Sequence, residues 1–516
     1  MIMKYILSFL LILSISIIYK YFEINNHKGL VIRSTIQIKN KTWVNYNGAI
    51  RISPDAIFEP STLEDLINIV KLARINNKTI RCAAQGHTVS SLSVTKHYLV
   101  VITKLNKITV QKHFKYGWTV TAEAGTPFED IDNALRNHDP PLTLDSEAIF
   151  GIFRVSGVVA VGAHGVKTTS GIVSDQLCSM KIVTGSGEIR EFSEEINQLE
   201  FNAAKVNLGL LGIIYSATFR AQPMYNLRLT DIYVPVKWLN NPQNIKNLLE
   251  SSDGIQVYYW PFNGFNQSDS NLRDFNKDRI VVKNWIRTNE PVSFTQQQLE
   301  QLHEIERQKI IKEYTLISSN LQNPETVSNV AATVLSDNVD TSFVYQAPDA
   351  IHYCVHEGSA KYDLMEIGFK VNTDFSNVAA EFSHAIQTLY EFAKKGKFPL
   401  NHLIDFRIIK SSKALLSPTF NHDPETLYCQ VDFMAVTGTP GYEEYTALLA
   451  QRYFDKYKAK PHWGKRWEFI PNVTSYLSDV LSDEIKQFEK VREKYDSDKI
   501  FFDNESLQDI FNGVLC

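Results

Sequence analysis

The sequence predicts an α+β protein, because two stretches of the chain differ in their pattern. From Arg51 to Pro223, strand-like runs alternate with short helical repeats and glycine turns, which is typical of a mixed sheet covered by helices. From Tyr225 to about Pro461, segments that alternate apolar and polar residues favour a mostly antiparallel sheet. We therefore expect a first domain over residues 50–223, a second over residues 224–460, and a C-terminal segment over residues 461–516.

Composition and charge exclude several classes of function. The 516 residues include 53 Lys+Arg and 57 Asp+Glu, so the net charge of -4 provides no positive field for nucleic acid. The five cysteines are far apart and form no CxxC or metal-ligand spacing. The cysteines therefore indicate neither a disulfide framework nor a zinc site.

The N-terminus carries an apolar segment. Tyr5 to Tyr19 has only serines as polar residues and is flanked by Lys4 and Lys20. It is shorter than the ~20 residues that span a bilayer, and no small-x-small cleavage site follows it. We expect residues 1–22 to form an uncleaved signal anchor, with a cleaved signal peptide as the alternative. The protein would then be membrane-anchored through this segment or exported through the secretory pathway.

Two helices are predicted from capping boxes after a polar tether that ends near Arg51. Ser61 and Glu64 have the spacing of a capping box, and apolar residues follow at helical spacing up to Ala73. The run Thr126-Pro127-Phe128-Glu129 has the same spacing, with proline at the first helical position. Its apolar stripe extends to Leu135.

The remaining elements are predicted from periodicity and from glycine turns. The expected strands are Trp118 to Glu123, a hairpin of Met180 to Thr184 with Glu188 to Phe192, Ile213 to Phe219, Gln256 to Trp260, Arg279 to Trp285, Met365 to Val371 and Tyr428 to Val436. The expected helices are Gln296 to Tyr314, Val378 to Lys394 and an amphipathic helix that contains Ile485, Phe488 and Val491.

The segment from Thr79 to Ser91, TIRCAAQGHTVSS, begins as a strand and then continues with small residues. Small residues leave successive backbone N–H groups uncovered, and such a concave run of donors suits an anion, above all a pyrophosphate. His87 follows Gly86 directly. It is either a nucleophilic ring beside this cradle or an ordinary loop histidine.

A second glycine-rich stretch extends from Arg154 to Gly171 and contains His164 between two glycines. No helix or ordinary strand favours this much glycine. Two interpretations remain open: backbone that passes close to a flat ligand, or a glycine-rich turn that packs under a helix.

Two further motifs make the pattern recognisable. Pro461-His462-Trp463-Gly464-Lys465 is one, and Asp405-Phe406-Arg407 is the other. With the glycine segments and with residues 208–213 (LGLLGI), they make the chain resemble flavoproteins of the vanillyl-alcohol oxidase type, and among them the sugar-1,4-lactone and alditol oxidases. The resemblance covers roughly residues 50–513 and implies a two-part FAD-binding domain with an antiparallel-sheet substrate (cap) domain.

The resemblance also implies which residues contact FAD. They are Ala83, Ala84, Gln85, Gly86, His87, Thr88, Ser156, Gly157, Gly162, His164, Gly165, Gly212, Ile213 and His462. In many members the histidine that aligns with His87 bonds covalently to the flavin, so covalent FAD through His87 is one expectation and non-covalent FAD the other. Ala84, Gln85 and Thr88 depart from the family's pattern.

For catalysis the resemblance implies Lys465, Arg407 and Asp405, the last where the family has glutamate. The cations would hold substrate oxygens and stabilise negative charge, and Asp405 would orient Arg407 or accept a proton. Two alternatives without a catalytic role remain: Lys465 is a solvated surface lysine, and Asp405 and Arg407 form only a structural ion pair. Met365-Glu366 also resembles a family signature.

The predicted function is oxidation of a hydroxyl carbon of an aldono-1,4-lactone or alditol by FAD, with oxygen or another electron acceptor. One alternative is oxidation of another alcohol or an amine. The other is a non-catalytic, membrane-anchored flavin-binding protein.

Overall fold

The computed structural model describes residues 37–38, 41–264, 275–321, 323, 327, 330, 340–353 and 360–515. The predicted signal anchor over residues 1–22 lies outside this part of the chain. Among the described residues, no helix combines the length and the apolar character that a bilayer crossing requires.

The strands and helices have the following bounds within the described residues. The strands are β1 (Gln37–Ile38), β2 (Trp43–Val44), β3 (Arg51–Ile52), β4 (Ala56–Phe58), β5 (Ile80–Ala83), β6 (Tyr98–Val101), β7 (Ile108–His113), β8 (Gly117–Glu123), β9 (Leu142–Thr143), β10 (Leu177–Val183), β11 (Ile189–Ser193), β12 (Ile213–Arg220), β13 (Gln222–Pro223), β14 (Asn226–Pro235), β15 (Gly254–Tyr259), β16 (Arg279–Thr288), β17 (Thr341–Gln346), β18 (Tyr362–Lys370), β19 (Ile404–Lys410), β20 (Leu427–Val436) and β21 (Lys460–Pro461). The helices are α1 (Leu63–Ile75), α2 (Phe128–Arg136), α3 (Val155–Val161), α4 (Gln198–Ala204), α5 (Gln243–Glu250), α6 (Gln296–Ser319), α7 (Ala347–Ile351), α8 (Ser376–Lys394), α9 (Tyr442–Tyr457), α10 (Val473–Val480), α11 (Ser482–Tyr495) and α12 (Glu505–Leu515).

The N-terminal half contains two main sheets. One has four strands in the order β1-β4-β6-β5, in which β4, β6 and β5 run parallel. The other has five antiparallel strands in the order β11-β10-β12-β8-β7. The predicted hairpin is confirmed as β10 and β11, and the strand predicted from Trp118 is confirmed as β8.

An eight-stranded antiparallel sheet dominates the rest of the chain, in the order β17-β14-β16-β15-β19-β20-β18-β21. Its strands confirm the predicted antiparallel pattern, and α6 and α8 confirm the two predicted helices. A buried apolar cluster extends from Ala56 to Phe511 and includes residues of all the main sheets. The two halves therefore share one core. The α+β expectation is confirmed.

Both predicted capping boxes are wrong in detail. The box of α1 is formed by Thr62 and Asp65, one residue later than predicted, because the Asp65 carboxylate accepts the Thr62 N–H at 3.0 Å. In α2 the N-cap is Pro127, and the Thr126 hydroxyl is buried without a hydrogen-bond partner among the described residues. Spacing alone does not decide which of two adjacent polar residues caps a helix.

The expectation that the glycine-rich stretch avoids helix is also wrong. Val155 to Val161 form helix α3, because Val155, Val158 and Val159 are buried on one side of it and their packing outweighs the glycine penalty. Gly162 ends the helix in the left-handed conformation with a φ of +68°.

The polar tether before Arg51 is shorter than predicted. Asn45 and Asn47 are buried, and β2 pairs with β3 at Arg51 and Ile52. Asn45 accepts a hydrogen bond from the Ile50 N–H and donates one to the Thr88 carbonyl, so this segment is fixed to the predicted pyrophosphate loop.

Candidate functional site

The segment predicted to cradle a pyrophosphate follows strand β5 directly, and Gly86 has a φ of +81° that favours glycine. A Cβ on Gly86 would lie 2.9 Å from Trp43 Cζ2, so the indole and the loop are in close contact. None of the described residues accepts a hydrogen bond from the backbone N–H groups of residues 85–88. These are the donors that an anion requires.

Arg154 adds positive charge at this loop. Its Nε donates to the Gln85 side chain, and its Nη1 donates to the Gly125 carbonyl at 2.9 Å. The glutamine that departs from the family's pattern thus orients an arginine at the start of helix α3. The predicted residues of the first two motifs are therefore neighbours.

His87 lies between two aromatic rings. The centroid of its imidazole is 4.9 Å from that of Phe153 and 5.4 Å from that of Tyr46. Burial, together with the charge of Arg154, lowers the pKa of His87 to about 4. The ring is consequently neutral at neutral pH, which is the form that acts as a nucleophile.

The second predicted segment connects this region to the eight-stranded sheet. His164 is buried, its Nδ1 is 3.0 Å from the Gly165 carbonyl, and its Nε2 is 2.5 Å from Glu366 Oε1. Both ring nitrogens therefore face oxygen atoms, which fixes the orientation of the ring. Gly165 is required because a Cβ there would lie 2.2 Å from the Glu147 carbonyl oxygen.

The third segment, residues 208–213, lies against strand β10 and helix α3. Ile213 starts β12 opposite Val183, and a Cβ on Gly212 would lie 2.3 Å from the Val183 carbonyl oxygen. Among the described contacts, the link to the helix of the second segment is the hydrogen bond from the Leu208 N–H to the Ala160 carbonyl at 3.0 Å. Gly212 therefore allows the start of β12 to approach β10 closely.

The motif from Pro461 to Lys465 packs against the first loop. The Gly464 carbonyl accepts the Val89 N–H at 2.9 Å, and the Trp463 carbonyl accepts the Ser90 hydroxyl at 2.6 Å. The His462 N–H donates to the Glu366 carbonyl at 2.9 Å. Burial and the charges of Lys465 and Arg407 lower the pKa of His462 to about 3, so its ring is neutral.

Strand register brings the acidic residues together. Asp405 on β19 is directly opposite Asp432 on β20, and Asp432 is directly opposite Glu366 on β18. Side chains directly across an antiparallel pair share one face, so three buried carboxyl groups form a row. Arg407, two residues after Asp405, lies on the same face.

Arg407 and Lys465 offset part of the negative charge of this row. Arg407 Nη2 is 3.4 Å from Glu366 Oε2, and 4.0 Å from both Asp405 Oδ1 and Asp432 Oδ2. Lys465 Nζ is 3.3 Å from Asp432 Oδ2, and its side chain is 23% exposed. The structure thus brings all three predicted catalytic residues to one place, and Asp432 joins the two cations.

Asp405 has the electrostatics of a proton acceptor. Burial raises the pKa of its carboxyl to about 7 against the opposing charge of Arg407, and the carboxylates of Asp432 and Glu366 raise it further. One oxygen, Oδ2, accepts the amide N–H of Gln256. The other, Oδ1, has no hydrogen-bond partner among the described residues.

Further polar atoms near this row lack partners among the described residues. They are Arg407 Nε, Asp432 Oδ1 and both amide atoms of Gln430. Gln430 is opposite both Arg407 and Gly368, and its amide lies over Gly368, where a Cβ would come within 2.4 Å of it. Buried polar groups without partners are costly, so their concentration here indicates a site for a polar ligand.

Sequence reasoning missed Asp432, Gln430 and the segment from Trp43 to Tyr46. Alternation predicts that Gln430 and Asp432 share a face of β20, but only the pairing of β20 with β19 and β18 brings them to Arg407. Glu366 carried a signal in the family signature, and its partners His164 and Arg407 now explain its burial.

The residues present fit FAD. The backbone N–H groups of residues 85–88, which have no acceptor among the described residues, suit a pyrophosphate together with the nearby Arg154. A Cβ on Gly157 in helix α3 would have no neighbour from outside its own helix within 4 Å among the described residues, so the backbone there is open to a ligand. His164 and His462 both contact Glu366 of the carboxyl row, through the His164 ring and the His462 N–H.

Comparison with known families agrees with this geometry. Residues 54–193 match the FAD binding domain family, so the chain contains an FAD-binding domain. Residues 217–509, more than half of the chain, match the family described as D-arabinono-1,4-lactone oxidase.

Curated relatives include the D-arabinono-1,4-lactone oxidases of Candida glabrata (29% identity over 43% of this chain and 42% of that protein) and Yarrowia lipolytica (32% identity over 43% and 41%). Another is the L-gulonolactone oxidase of Scyliorhinus torazame (27% identity over 49% and 52%). The chain thus matches about two fifths to one half of the length of these relatives.

Solved structures show the fold. The cholesterol oxidase from B. sterolicum superposes with a TM-score of 0.75 at 18% identity, over 93% of this chain and 98% of that chain. A solvent-stable cholesterol oxidase superposes with a TM-score of 0.76 at 15% identity, over 93% and 99%.

Proposed function

The chain belongs to the D-arabinono-1,4-lactone oxidase family, and from this we propose that it is an FAD-dependent oxidoreductase that oxidises a hydroxyl carbon of an aldono-1,4-lactone or alditol. The observation that carries the proposal is the buried group of Asp405, Arg407, Asp432 and Lys465, with unpartnered polar atoms around it. A polyhydroxylated substrate offers donors and acceptors to all of them.

The chemistry that FAD supplies when bound is acceptance of a hydride from the substrate carbon. Asp405 accepts the hydroxyl proton at Oδ1, the oxygen without a partner among the described residues, because a carboxyl with a pKa of about 7 is well matched to neutral pH. Gln256 holds the other oxygen and thereby orients the carboxyl.

Arg407 and Lys465 bind substrate oxygens in this proposal. Arg407 Nε has no partner among the described residues, so it is able to donate to a ligand while Nη2 remains near Glu366. Lys465 is partly exposed and held by Asp432, so its ammonium is positioned but retains free donors. Burial within the sheet keeps bulk water away from this face.

The cradle of residues 83–88, with Ser156, Gly157, Gly162, His164, Gly165 and His462, is proposed to hold FAD, and residues 224–460 to hold the substrate. The neutral, partly buried ring of His87 supports covalent attachment of the flavin through this residue. We further propose oxygen as the electron acceptor, in line with the names of the relatives. The N-terminal apolar segment supports anchoring to a membrane.

Replacement of Lys465 by methionine tests the proposal. Lys465→Met keeps the length of the side chain but removes the charge, so we expect FAD to remain bound and flavin reduction by a lactone to fall by at least about a hundredfold. Lys490→Met, at an exposed position on α11, is the matched control, and its flavin should be reduced at the rate of the natural chain. Unchanged reduction in Lys465→Met would contradict the assigned role.

A further inference from the structure

Away from the proposed catalytic site, three metal-ligating side chains meet in the interior: Asp132, Glu147 and His352. Asp132 is on helix α2, Glu147 is in the loop after β9, and His352 follows helix α7 of the other half of the molecule. The two carboxylates are buried, and the histidine side chain is 15% exposed. No other group of this kind occurs among the residues that the structure describes.

The spacing of the three groups suits a metal ion. His352 Nε2 is 2.9 Å from Asp132 Oδ2 and 3.0 Å from Glu147 Oε2. Three ligand atoms on one face of an octahedral ion with bonds of about 2.1 Å lie about 3.0 Å apart. The two distances from His352 match this spacing, and all three ligand atoms lie within 4.8 Å of one another.

Two atoms of the group lack partners. Asp132 Oδ1 and His352 Nδ1 have no hydrogen-bond partner among the described residues, although Asp132 is only 4% exposed. A buried carboxylate with an unpartnered oxygen is costly, and a bound cation offsets that cost. This observation is independent of the spacing.

A cavity of about 340 Å³ adjoins the group and gives an ion access to it. Asp132 and His352 line this cavity together with other charged groups. These are Glu129, Arg136, Glu300, His303, Glu304, Arg307 and Asp349.

Both arginines in the wall are paired. Arg136 Nη2 is 2.6 Å from Asp349 Oδ1, and Arg307 contacts Glu304. The wall consequently has an excess of acidic groups, which attracts cations, and the cavity has room for waters that complete the coordination.

We propose that Asp132, Glu147 and His352 bind one divalent metal ion, of which Zn²⁺ and Mn²⁺ suit a ligand set of one imidazole and two carboxylates. The ion joins helix α2 to the segment after α7. The next residue, Tyr353, donates from its hydroxyl to Gln256 Oε1 at 3.3 Å, and Gln256 holds Asp405. Metal binding therefore stabilises the wall of the proposed catalytic site from outside it.

The test uses the full-length flavoprotein, purified through a tag that binds no metal and dialysed against EDTA. After equilibration with ZnCl₂ or MnCl₂ and removal of free ions, we expect about one ion per chain by mass spectrometry of the metal. We also expect the thermal midpoint to rise with metal concentration.

Two variants identify the ligands. His352→Gln and the near-isosteric Asp132→Asn should lower the affinity for the ion at least about tenfold, while FAD content is retained. His303→Gln, in the wall of the same cavity but outside the group, should bind the ion as the natural chain does. If His352→Gln fails to fold, Asp132→Asn and the natural chain still decide the question.

The proposal is overturned if the natural chain retains no more metal than His352→Gln and its thermal midpoint does not respond to either ion. The three residues would then share protons and join the two halves without metal. Equal loss of metal in His303→Gln would also overturn it, because the ion would lie elsewhere in the cavity.

Discussion

At the scale of single residues, the central feature is a set of three buried carboxyl groups that lie beside two cationic side chains. Asp405, Asp432 and Glu366 face Arg407 and Lys465 with almost no exposure to solvent, apart from Lys465. Removal of one partner from such a set leaves another charge buried and uncompensated. We therefore expect single substitutions at these positions to have large effects that follow from the charge left without a partner.

The ionisation of Asp405 predicts the pH dependence of the reaction. Its pKa of about 7 means that the ionised, proton-accepting form accumulates as pH rises through 7. We expect the rate of flavin reduction to fall by about tenfold for each pH unit below that value, as for a single required base. Stopped-flow measurements at different pH values check this.

The matched comparison for that prediction is Asp405→Asn. In this variant the flavin should be reduced slowly, and the rate should no longer depend on pH near 7, since no ionisable base remains at this position. If the rate of flavin reduction in Asp405→Asn depended on pH as it does in the natural chain, the role of Asp405 as proton acceptor would be contradicted.

Glu366 is predicted to stabilise the fold through its contacts with His164 and Arg407. Glu366→Gln removes the charge that faces His164 and Arg407, so we expect a loss of about 3 kcal/mol in the free energy of unfolding by denaturant. Glu425→Gln, which breaks the exposed pair with Lys410, should cost less than about 1 kcal/mol. Equal losses in both variants would contradict this account.

The proximity of site residues was predictable from the sequence only where a motif contains them. Arg407, Asp405 and Lys465 belong to such motifs, and the structure brings them together. Asp432 and Gln430 belong to none, because their proximity depends on the register of β20 against two other strands. A single sequence contains no signal for that register.

At the scale of elements, segments pack together at glycines, where one stretch of backbone approaches another closely. Gly212 has a φ of +137° and lies against the Val183 carbonyl, so alanine there meets both backbone strain and a clash. We expect Gly212→Ala to lower the free energy of unfolding by about 3 kcal/mol.

Gly438→Ala is the matched control for Gly212→Ala. Gly438 has a φ of +87°, but a Cβ there would have no atom within 4 Å. Only the backbone strain applies, so the expected loss is about 1 kcal/mol. Denaturant unfolding of both variants separates strain from clash, and equal losses would show that the contact with Val183 is unimportant.

Most elements were predictable from periodicity, and the exceptions have physical causes. Helix α3 forms in spite of its glycine because its valines are buried, and burial is a tertiary effect that composition does not show. The capping boxes are shifted or lost because neighbouring hydroxyls and carboxylates compete for the same backbone donors.

At the scale of the whole molecule, the segment from Trp43 to Asn47 joins regions that are distant in sequence. Trp43 packs on Gly86, and the Tyr46 hydroxyl donates to the Tyr362 carbonyl on the eight-stranded sheet at 3.0 Å. The segment therefore touches both the proposed FAD cradle and the proposed substrate domain.

Two truncations test this role of the segment. Deletion of residues 1–36 should leave FAD bound, whereas deletion of residues 1–48 should release FAD or prevent folding, because the loop around Gly86 loses its packing partners. The ratio of flavin absorbance to protein absorbance checks both. Full FAD content in the longer deletion would contradict the account.

Anaerobic addition of an aldono-1,4-lactone or alditol to the purified yellow protein, followed by absorbance of the flavin, decides whether the proposed reaction takes place. We expect at least one of these polyols to bleach the flavin of the natural chain, and we expect this bleaching to be lost in Lys465→Met. A protein that binds FAD but is not bleached by any such polyol would contradict the proposed reaction.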